Sequence, residues 1–260
     1  MKKILYLIIC LMIVGYGCIE EQILPYNNLK MDAGYFVECY LEPNNLYKLT
    51  ATKLQPLNED YILDYSHSFD AFIDNIELYH SLYSDTESGY IYNYGSYLRF
   101  VPKKDKVYLT LISEDQDTIK GETTVPEDIK INNFKSSDGG VQFDFLLSPN
   151  KLHNFFMVSI DSYDSDSVYR IVKLLDYSGE EELDTIFFDY SFKDDKGRTE
   201  YLDVVLRRLT QDNFKYQQSI ENAKDANNDN LILPSPLAGN LKNAIGIFTC
   251  YTSDSVSVYY

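Results

Sequence analysis

Alternation of apolar and polar residues is the main structural signal of this chain. Residues 34–41 (GYFVECYL) and residues 46–54 (LYKLTATKL) each alternate, and Pro43, Asn44 and Asn45 lie between them. A period of two places successive side chains on opposite faces of a strand, and the three intervening residues are typical of turns. The two segments therefore predict a β-hairpin.

Short strand-like runs separated by turn residues continue as far as Pro126. The further predicted strands are 71–80, two short strands in 89–101 that are broken at Gly95, then 106–113 and 118–125, while 55–70 is predicted to be a long surface loop. Seven strands at this spacing predict an antiparallel sandwich over residues 33–127, similar to immunoglobulin or transthyretin domains.

A second unit, residues 128–260, has the same strand character and one helical segment. Its predicted strands are 141–147, 154–160, 167–177, 185–192, 201–209, 243–251 and 255–260. Residues 211–224 predict a helix, because Thr210 suits the N-cap and the apolar residues that follow recur at helical spacing. The fold class is therefore mainly β, with two sandwich-like domains and one helix near 211–224.

The N-terminal eighteen residues have the pattern of an export signal. Lys2 and Lys3 precede an apolar run from Ile4 to Val14, which is too short to span a bilayer, and small residues then lead to Cys18. This arrangement resembles a bacterial lipoprotein signal. The resemblance implies that residues 1–17 are removed, that Cys18 is lipidated, and that residues 18–32 form a tether. The alternative is an ordinary secretory signal that is cleaved nearby.

Two acidic residues, Glu20 and Glu21, follow Cys18 almost directly. They resemble the signals that send Bacteroidota lipoproteins to the outer face of the outer membrane. A lipoprotein cysteine carries more than one acyl chain, and stable anchoring requires more than one. We therefore expect a protein that is lipid-anchored in the outer membrane and exposed on the cell surface; the alternative for this segment is a solvated linker.

Charge excludes one class of partner. The chain has 40 acidic and 23 basic residues, and its formal net charge is -17. Such a surface repels nucleic-acid phosphates and anionic lipid headgroups, so nucleic-acid binding is excluded and the acyl chains remain as the membrane contact.

Aromatic residues suggest where a ligand would bind. The chain has 24 Tyr, 14 Phe and no Trp, which is typical of an aromatic-rich β protein or, alternatively, of a stacking surface for sugars or peptides. Besides the 232–240 loop, the candidate ligand-binding residues are Tyr61, Tyr65, Tyr90, Tyr92 and Tyr94. The last three are predicted to alternate onto one face, and plain sheet packing is the alternative for them.

The sequence contains no recognisable catalytic motif. It has no G-x-S-x-G, no H-E-x-x-H and no phosphate-binding glycine loop, and His67, His80 and His153 lie in separate segments. We therefore expect no enzymatic activity and assign no catalytic residue.

Calcium is the only cofactor that the sequence suggests. Asp225, Asn227 and Asp229 match the first oxygen positions of an EF-hand loop, but Pro236 stands where the bidentate glutamate belongs. The acidic loop around Asp161 is a second candidate, and a solvated turn is the alternative there.

Two cysteines, Cys39 and Cys250, remain after Cys10 and Cys18 are assigned to the signal and the anchor. Both lie in apolar strand-like runs that suit buried thiols. An oxidising compartment would also permit a disulfide between them, and the sequence leaves these alternatives open.

Several stretches in order resemble a Bacteroidota lipoprotein family known as domain of unknown function 4249. They are the lipoprotein start, the hairpin strands YFVECYL and YKLTATKL, KVYLTLISEDQDTIKGETTVP (106–126), NFFMVSI, the helix around NFKYQQSI, and LPSPLAGNLKNAIGIFTCY (233–251). The resemblance implies a surface lipoprotein that associates with a TonB-dependent outer-membrane receptor, with no established enzymatic activity.

These expectations together give a functional hypothesis. It is a non-enzymatic surface lipoprotein that binds a ligand or partner as an accessory to TonB-dependent nutrient uptake. The alternative is a structural or adhesive envelope lipoprotein with protein partners only.

Overall fold

A computed structural model describes residues 34–54, 67–84, 91–137, 140–163, 168–180, 184–192, 200–228 and 236–260. The predicted signal (1–17) and tether (18–32) lie outside these residues. The described chain is mainly β and includes one α-helix, which confirms the predicted fold class.

The first unit contains seven strands, as predicted, but some of the strand boundaries differ from the prediction. Its seven strands are β1 Tyr35–Leu41, β2 Leu46–Lys53, β3 Phe69–Ile73, β4 Ile76–Ser84, β5 Ile91–Arg99, β6 Lys106–Ser113 and β7 Thr118–Thr124.

The structure corrects the predicted strand boundaries at two places in this unit. Residues 71–80 belong to a hairpin, β3–β4, rather than one strand, because Asp74 takes a left-handed φ of 51° and turns the chain there. Residues 91–99 form one strand, because Gly95 pairs with Lys48 on β2 and with Tyr79 on β4 and so continues the sheet instead of breaking it.

The second unit contains the α-helix and the remaining strands. Its elements are β8 Asn132–Ser137, β9 Gly140–Leu146, a 3-10 turn Lys151–His153, β10 Phe155–Tyr163, β11 Val168–Asp176, β12 Thr185–Ser191, β13 Tyr201–Leu209, α1 Gln211–Asn228 and β14 Ile245–Tyr259. The helix ends four residues later than predicted, and the two predicted C-terminal strands are one fifteen-residue strand. Strand β8 was not predicted, because NNFKSS is mostly polar and has only one large apolar residue.

Strand β14 connects the two units. In the described chain the strands form one eleven-stranded sheet, in the order β11-β10-β13-β14-β1-β2-β5-β4-β3-β6-β7, and a three-stranded sheet, β12-β9-β8. The first part of β14 pairs in parallel with β1, and its later part pairs antiparallel with β13. One strand therefore belongs to the sheet of both units.

Two main hydrophobic cores follow from the alternation. In the first unit, the inward residues of β1, β2, β6 and β7 pack together and include Phe248 and Cys250 of β14. In the second unit, Phe143 and Phe145 of the three-stranded sheet pack against Phe156 and the neighbouring inward residues of β10 and β13. Burial of these apolar side chains, at roughly 25 cal/mol per Å² of apolar surface, is the main force that holds each unit together.

Helix α1 lies on the opposite face of the large sheet from the three-stranded sheet. Its Phe214 packs against Phe155 and Leu209, and its Tyr216 hydroxyl donates to the Glu38 carboxylate at 2.6 Å. The Asn213 amide donates to the Thr210 hydroxyl at 3.2 Å, so the predicted N-cap is present. Within the described ranges, no helix is long and apolar enough to cross a membrane.

Candidate functional site

Glu42 stands where the first unit meets β14. It directly follows β1 and begins the turn to β2. Its carboxylate accepts hydrogen bonds from the Asn45 amide, the Ser253 hydroxyl and, at 3.2 Å, the Tyr251 hydroxyl. The turn is thereby attached to β14, which is about 200 residues away in the chain and adjacent in space.

A groove of about 320 Å³ opens beside this carboxylate, and we call it the Glu42 groove. It is lined by Tyr40, Glu42, Asn45, Leu46, Lys48, Arg99 and Tyr251. A second groove, of about 220 Å³, lies on the other side of Glu42, along Asp128, Lys130 and Thr252. Glu42 is thus part of the wall between two adjoining polar grooves.

Two cations of the Glu42 groove are held in place by neighbouring groups. The Arg99 guanidinium donates to the Asn44 carbonyl oxygen at 2.5 Å. The Lys48 ammonium lies 5.3 Å from the centre of the Tyr92 ring, within the range of a cation–π interaction. The positive charges that a ligand would meet are therefore positioned before it binds.

Tyr251 remains a hydrogen-bond donor at neutral pH. Burial, with the negative charge of Glu42 as the next cause, raises the pKa of Tyr251 to about 12. The Arg207 guanidinium lies over the Tyr251 ring, 5.8 Å from its centre. The Tyr251 proton is donated to Glu42. The Asn45 amide, Lys48 and Arg99 are the donors suited to a ligand that carries carboxylate or hydroxyl groups.

The structure separates the predicted aromatic residues. Tyr94 is fully buried in the first core, where its hydroxyl accepts from the Phe69 amide at 2.8 Å and burial raises its pKa to about 12. Tyr92 instead lies beneath Lys48, whose side chain points away from that core. The prediction that these tyrosines share one face is therefore wrong for Tyr92 and Tyr94.

A buried amide explains this separation. Asn93 is fully buried, and its side chain bonds both to the Ala51 amide (2.9 Å) and to the Ala51 carbonyl (2.8 Å). A side chain thus replaces the backbone partner, and the regular alternation of β5 is interrupted there. The other predicted aromatic residues, Tyr61, Tyr65 and Tyr90, lie outside the described residues, as does the predicted lipidation site, Cys18.

Two of the three predicted calcium ligands, Asp225 and Asn227, lie in helix α1. Asp225 is exposed in the last turns of α1, and Asn227 continues the same helix, whereas an EF-hand places these positions in a loop around the ion. Asp229 lies outside the described residues. In the part of the chain that the structure describes, no group of three or more His, Cys, Asp or Glu side chains could hold a metal ion.

The described end of the 232–240 loop, residues 236–240, is tied to the sheet. The Asn240 amide nitrogen donates to the carbonyl oxygens of Phe248 (2.8 Å) and Glu122 (3.1 Å), and its oxygen accepts from the Phe248 amide at 3.0 Å. Gly239 packs so closely on Gly246 that a Cβ atom there would lie 2.3 Å from the Gly246 carbonyl oxygen. These residues therefore attach the loop to β7 and β14.

Residues 37–257 match the family DUF4249, which is described as a domain of unknown function. The chain belongs to the DUF4249 family. The comparison with curated proteins gives no match. Two stretches that carried the resemblance to DUF4249, 106–126 and 233–251, meet in the structure, where Lys120 and Lys242 form a β-bridge. For this DUF4249 protein, the described part of the C-terminal stretch thus has a structural role through Asn240, Lys242 and the two glycines, Gly239 and Gly246.

Sequence reasoning missed the residues of the Glu42 groove. Asn44 and Asn45 are predicted only as turn residues and Tyr251 only as part of a strand, and Glu42 has no predicted role. Only the parallel pairing of β1 with β14 brings them together. An acidic residue at the start of a turn gives no sequence signal of such a distant partner.

Proposed function

We propose that this DUF4249 protein is a non-enzymatic surface lipoprotein that binds a ligand or partner at the Glu42 groove. In this proposal it is anchored through Cys18 and acts beside a TonB-dependent outer-membrane receptor in nutrient uptake. The observation that carries the binding role is the pair of positioned cations beside Glu42, Lys48 and Arg99. The sequence before residue 33 supports the location.

The anchor is tested by metabolic labelling with palmitate. Wild type is expected to be labelled, and Cys18→Ala is expected to remain unlabelled and to be released from the membrane. Protease added to intact cells then tests whether the body is exposed. An unlabelled, freely released wild type would contradict the anchor and the location together.

The binding role is tested by crosslinking in outer membranes followed by affinity purification. Wild type is expected to recover a TonB-dependent receptor, and Lys48→Ala/Arg99→Ala is expected to lose at least about 90% of that recovery, because charge-assisted contacts are removed. Lys104→Ala, an exposed lysine outside the groove, is the matched control. Equal recovery with the groove variant and the control would contradict a role for this groove.

A structural or adhesive envelope role gives a different result. In that case a deletion strain would lose attachment and keep normal growth on every nutrient. Growth defects on a specific nutrient, restored by wild type and not by the groove variant, would favour the uptake role.

A further inference from the structure

One face of the large sheet carries a regular array of side chains that the Glu42 groove does not use. It is formed by β11, β10, β13 and β14, on the side of the sheet opposite the three-stranded sheet. Strand register aligns its residues in rows across the strands. The row at one end consists of Val168, Tyr163, Tyr201 and Tyr259, and the next consists of Arg170, Asp161, Asp203 and Ser257. We call these rows, with the neighbouring Val172, Ser159, Val205 and Ser255, the open face.

Three tyrosines on adjacent strands form an aromatic row. The ring centre of Tyr201 is 5.2 Å from that of Tyr163 and 4.7 Å from that of Tyr259. Tyr259 nevertheless remains 81% exposed. All three residues are on paired strands, so their backbone positions are fixed before any ligand binds.

The polar row beside the tyrosines is also pre-arranged. The Arg170 guanidinium donates to both carboxylate oxygens of Asp161, each at 2.7 Å, and the Ser257 hydroxyl donates to Asp203 at 2.7 Å. One row further, the Ser159 hydroxyl accepts a hydrogen bond from the Arg207 guanidinium, which lies in the row beyond, at 3.0 Å. A carboxylate accepts at about four lone-pair positions, so Asp203 keeps acceptor capacity for further donors. Asp161 is only 8% exposed and serves to hold Arg170 in place.

Helix α1 covers only the opposite end of this face. It packs on Phe155 and Leu209, which form one row that is four rows away from the aromatic row. Val168 is 58% exposed, and Val172 and Tyr259 are exposed as well. Within the described chain, Tyr259 of the aromatic row and Arg170 and Ser257 of the polar row therefore face outward, whereas Asp161 is buried.

The charge of the open face limits what it can bind. Within the open face and the next row, which contains Arg207, two aspartates (Asp161 and Asp203) balance two arginines (Arg170 and Arg207) in a chain of net charge -17. An anionic polymer would be repelled by the rest of the surface, and a cationic one would be attracted everywhere rather than to this face. A balanced row of donors and acceptors beside aromatic rings matches an uncharged ligand with many hydroxyl groups.

A contribution to sheet stability explains why Tyr163 and Tyr201 are present in the aromatic row, but it does not explain Tyr259. Cross-strand aromatic pairs contribute about 0.5–1.5 kcal/mol, and Tyr163 and Tyr201 are half-buried as such pairs usually are. Tyr259, with most of its ring in solvent, gains little from burial. An exposed ring that is held by its neighbours is instead suited to stacking against the apolar face of a sugar ring.

We propose that the open face binds a neutral glycan, with Tyr201 and Tyr259 stacking on sugar rings and Asp203 and Arg170 bonding their hydroxyl groups. This adds a second recognition surface to the proposed function. It requires binding by the open face and does not require the Glu42 groove or a receptor.

Affinity electrophoresis of the full chain tests the proposal. Native gels are cast with one of four neutral polysaccharides: an α-glucan, a β-glucan, an α-mannan or an arabinoxylan. We expect at least one of them to retard wild type, and Tyr201→Ala/Tyr259→Ala to need at least tenfold more polysaccharide for equal retardation. Tyr97→Ala is the matched control, because Tyr97 is 87% exposed on β5 and outside the open face.

A conservative variant separates stacking from folding. Tyr259→Phe keeps the ring and is expected to retain binding, and circular dichroism checks that every variant is folded. Retardation of wild type by none of the four polysaccharides would overturn the proposal, as would equal retardation of the folded double variant. Binding of an unstructured peptide library that depends on the same tyrosines, without glycan binding, would assign the face to peptides instead.

The outcome is independent of the receptor experiment. Loss of receptor recovery in Lys48→Ala/Arg99→Ala leaves glycan retardation unchanged if the two surfaces act separately. Failure of the glycan proposal therefore shows in the gels alone, and failure of the proposed function shows in the crosslinking alone.

Discussion

Gly246 shows how one residue fixes the contact between two distant strands. It lies at the start of β14 with a φ of 113°, and a Cβ atom there would be 2.0 Å from the Val37 carbonyl oxygen on β1. Both the backbone conformation and the close approach therefore require glycine.

Gly246→Ala is expected to destabilise the protein by more than about 2 kcal/mol, since strain at φ and a backbone clash are added together. Gly179→Ala is the matched control, because no atom lies within 4 Å of its added Cβ, and it should change stability by less than about 0.5 kcal/mol. Urea unfolding followed by circular dichroism measures both. Equal midpoints for the two variants would show that β1 and β14 do not approach so closely.

His153 gives the protein a pH dependence of defined sign. Burial lowers the pKa of His153, the nearby positive charge of Arg208 lowers it further, and Glu127 opposes the shift. The folded state therefore favours the neutral imidazole. Its contribution to stability is present above the unfolded pKa, near 6.5, and is lost as the pH falls through the lower folded value.

His153→Gln removes this proton-binding group. Between pH 7.5 and 5.0, the variant is expected to lose less of its free energy of unfolding than wild type loses. Urea titrations at several pH values give the two slopes. Parallel slopes would mean that His153 is as accessible to protons in the folded chain as in the unfolded chain.

At the scale of elements, alternation predicted most strands but could not predict their irregularities. Residues 106–113 and 201–209 were predicted with their observed bounds, because each has one clean apolar face. In β5, by contrast, Asn93 replaces a backbone partner and moves Tyr92 and Tyr94 onto different faces. Such a replacement depends on the neighbouring strand, which a single strand's pattern does not contain.

The 236–244 segment depends on Asn240. Its side chain bonds the amide and carbonyl of Phe248, a fully buried residue, and also the carbonyl of Glu122. Asn240→Ala leaves these backbone groups without that partner and should cost about 2 kcal/mol. The comparison variant is Asn132→Ala, an exposed asparagine with one 3.5 Å bond to Lys130. If both variants unfold at the wild-type urea concentration, the segment is not held by this side chain.

Strand register also determines whether Cys39 and Cys250 can form a disulfide. Cys39 pairs with Phe248, and Cys250 pairs with Leu41, so the cysteines are diagonal neighbours two positions apart. At strand spacings of about 4.8 Å across and 3.3 Å per residue, their Cα atoms are about 8 Å apart. Disulfides join Cα atoms that are about 4.4–6.8 Å apart, so the register disfavours a bridge.

Both thiols should therefore be reduced and unreactive. They are buried, and burial raises the pKa of each well above its ordinary value. Alkylation at pH 8 without reductant should leave Cys39 and Cys250 unlabelled in the folded protein and label both in urea. Peptide mass spectrometry distinguishes them from Cys10 and Cys18. A Cys39–Cys250 peptide that resists alkylation in urea would contradict the register.

The whole molecule is built around a pairing that the sequence does not reveal. β1 and β14 are separated by about 200 residues, and their parallel pairing joins the sheet of the first unit to that of the second. The same pairing assembles the Glu42 groove, and the pairing of β10, β13 and β14 assembles the tyrosine row. Local patterns predicted the strands, but register between distant strands depends on contacts that no local pattern records.

The shared strand β14 predicts that the two units unfold together. Phe248 of β14 is fully buried in the first core, and nine residues of the same strand pair with β13. Loss of the first unit would expose one part of β14 and leave the edge of β13 without a fixed partner. Hydrogen exchange in increasing urea should therefore show β6 and β10 losing protection at the same concentration.

Phe248→Ala makes this prediction sharper. Removal of a buried phenylalanine costs about 3–5 kcal/mol, and the midpoint should fall for β10 in the second core as well as for β6 in the first. Phe187→Ala is the matched control, since Phe187 is 62% exposed on the outer side of the three-stranded sheet and should leave both midpoints unchanged. If Phe248→Ala lowers protection in β6 and leaves β10 at its wild-type midpoint, β14 joins the sheets without coupling their stability.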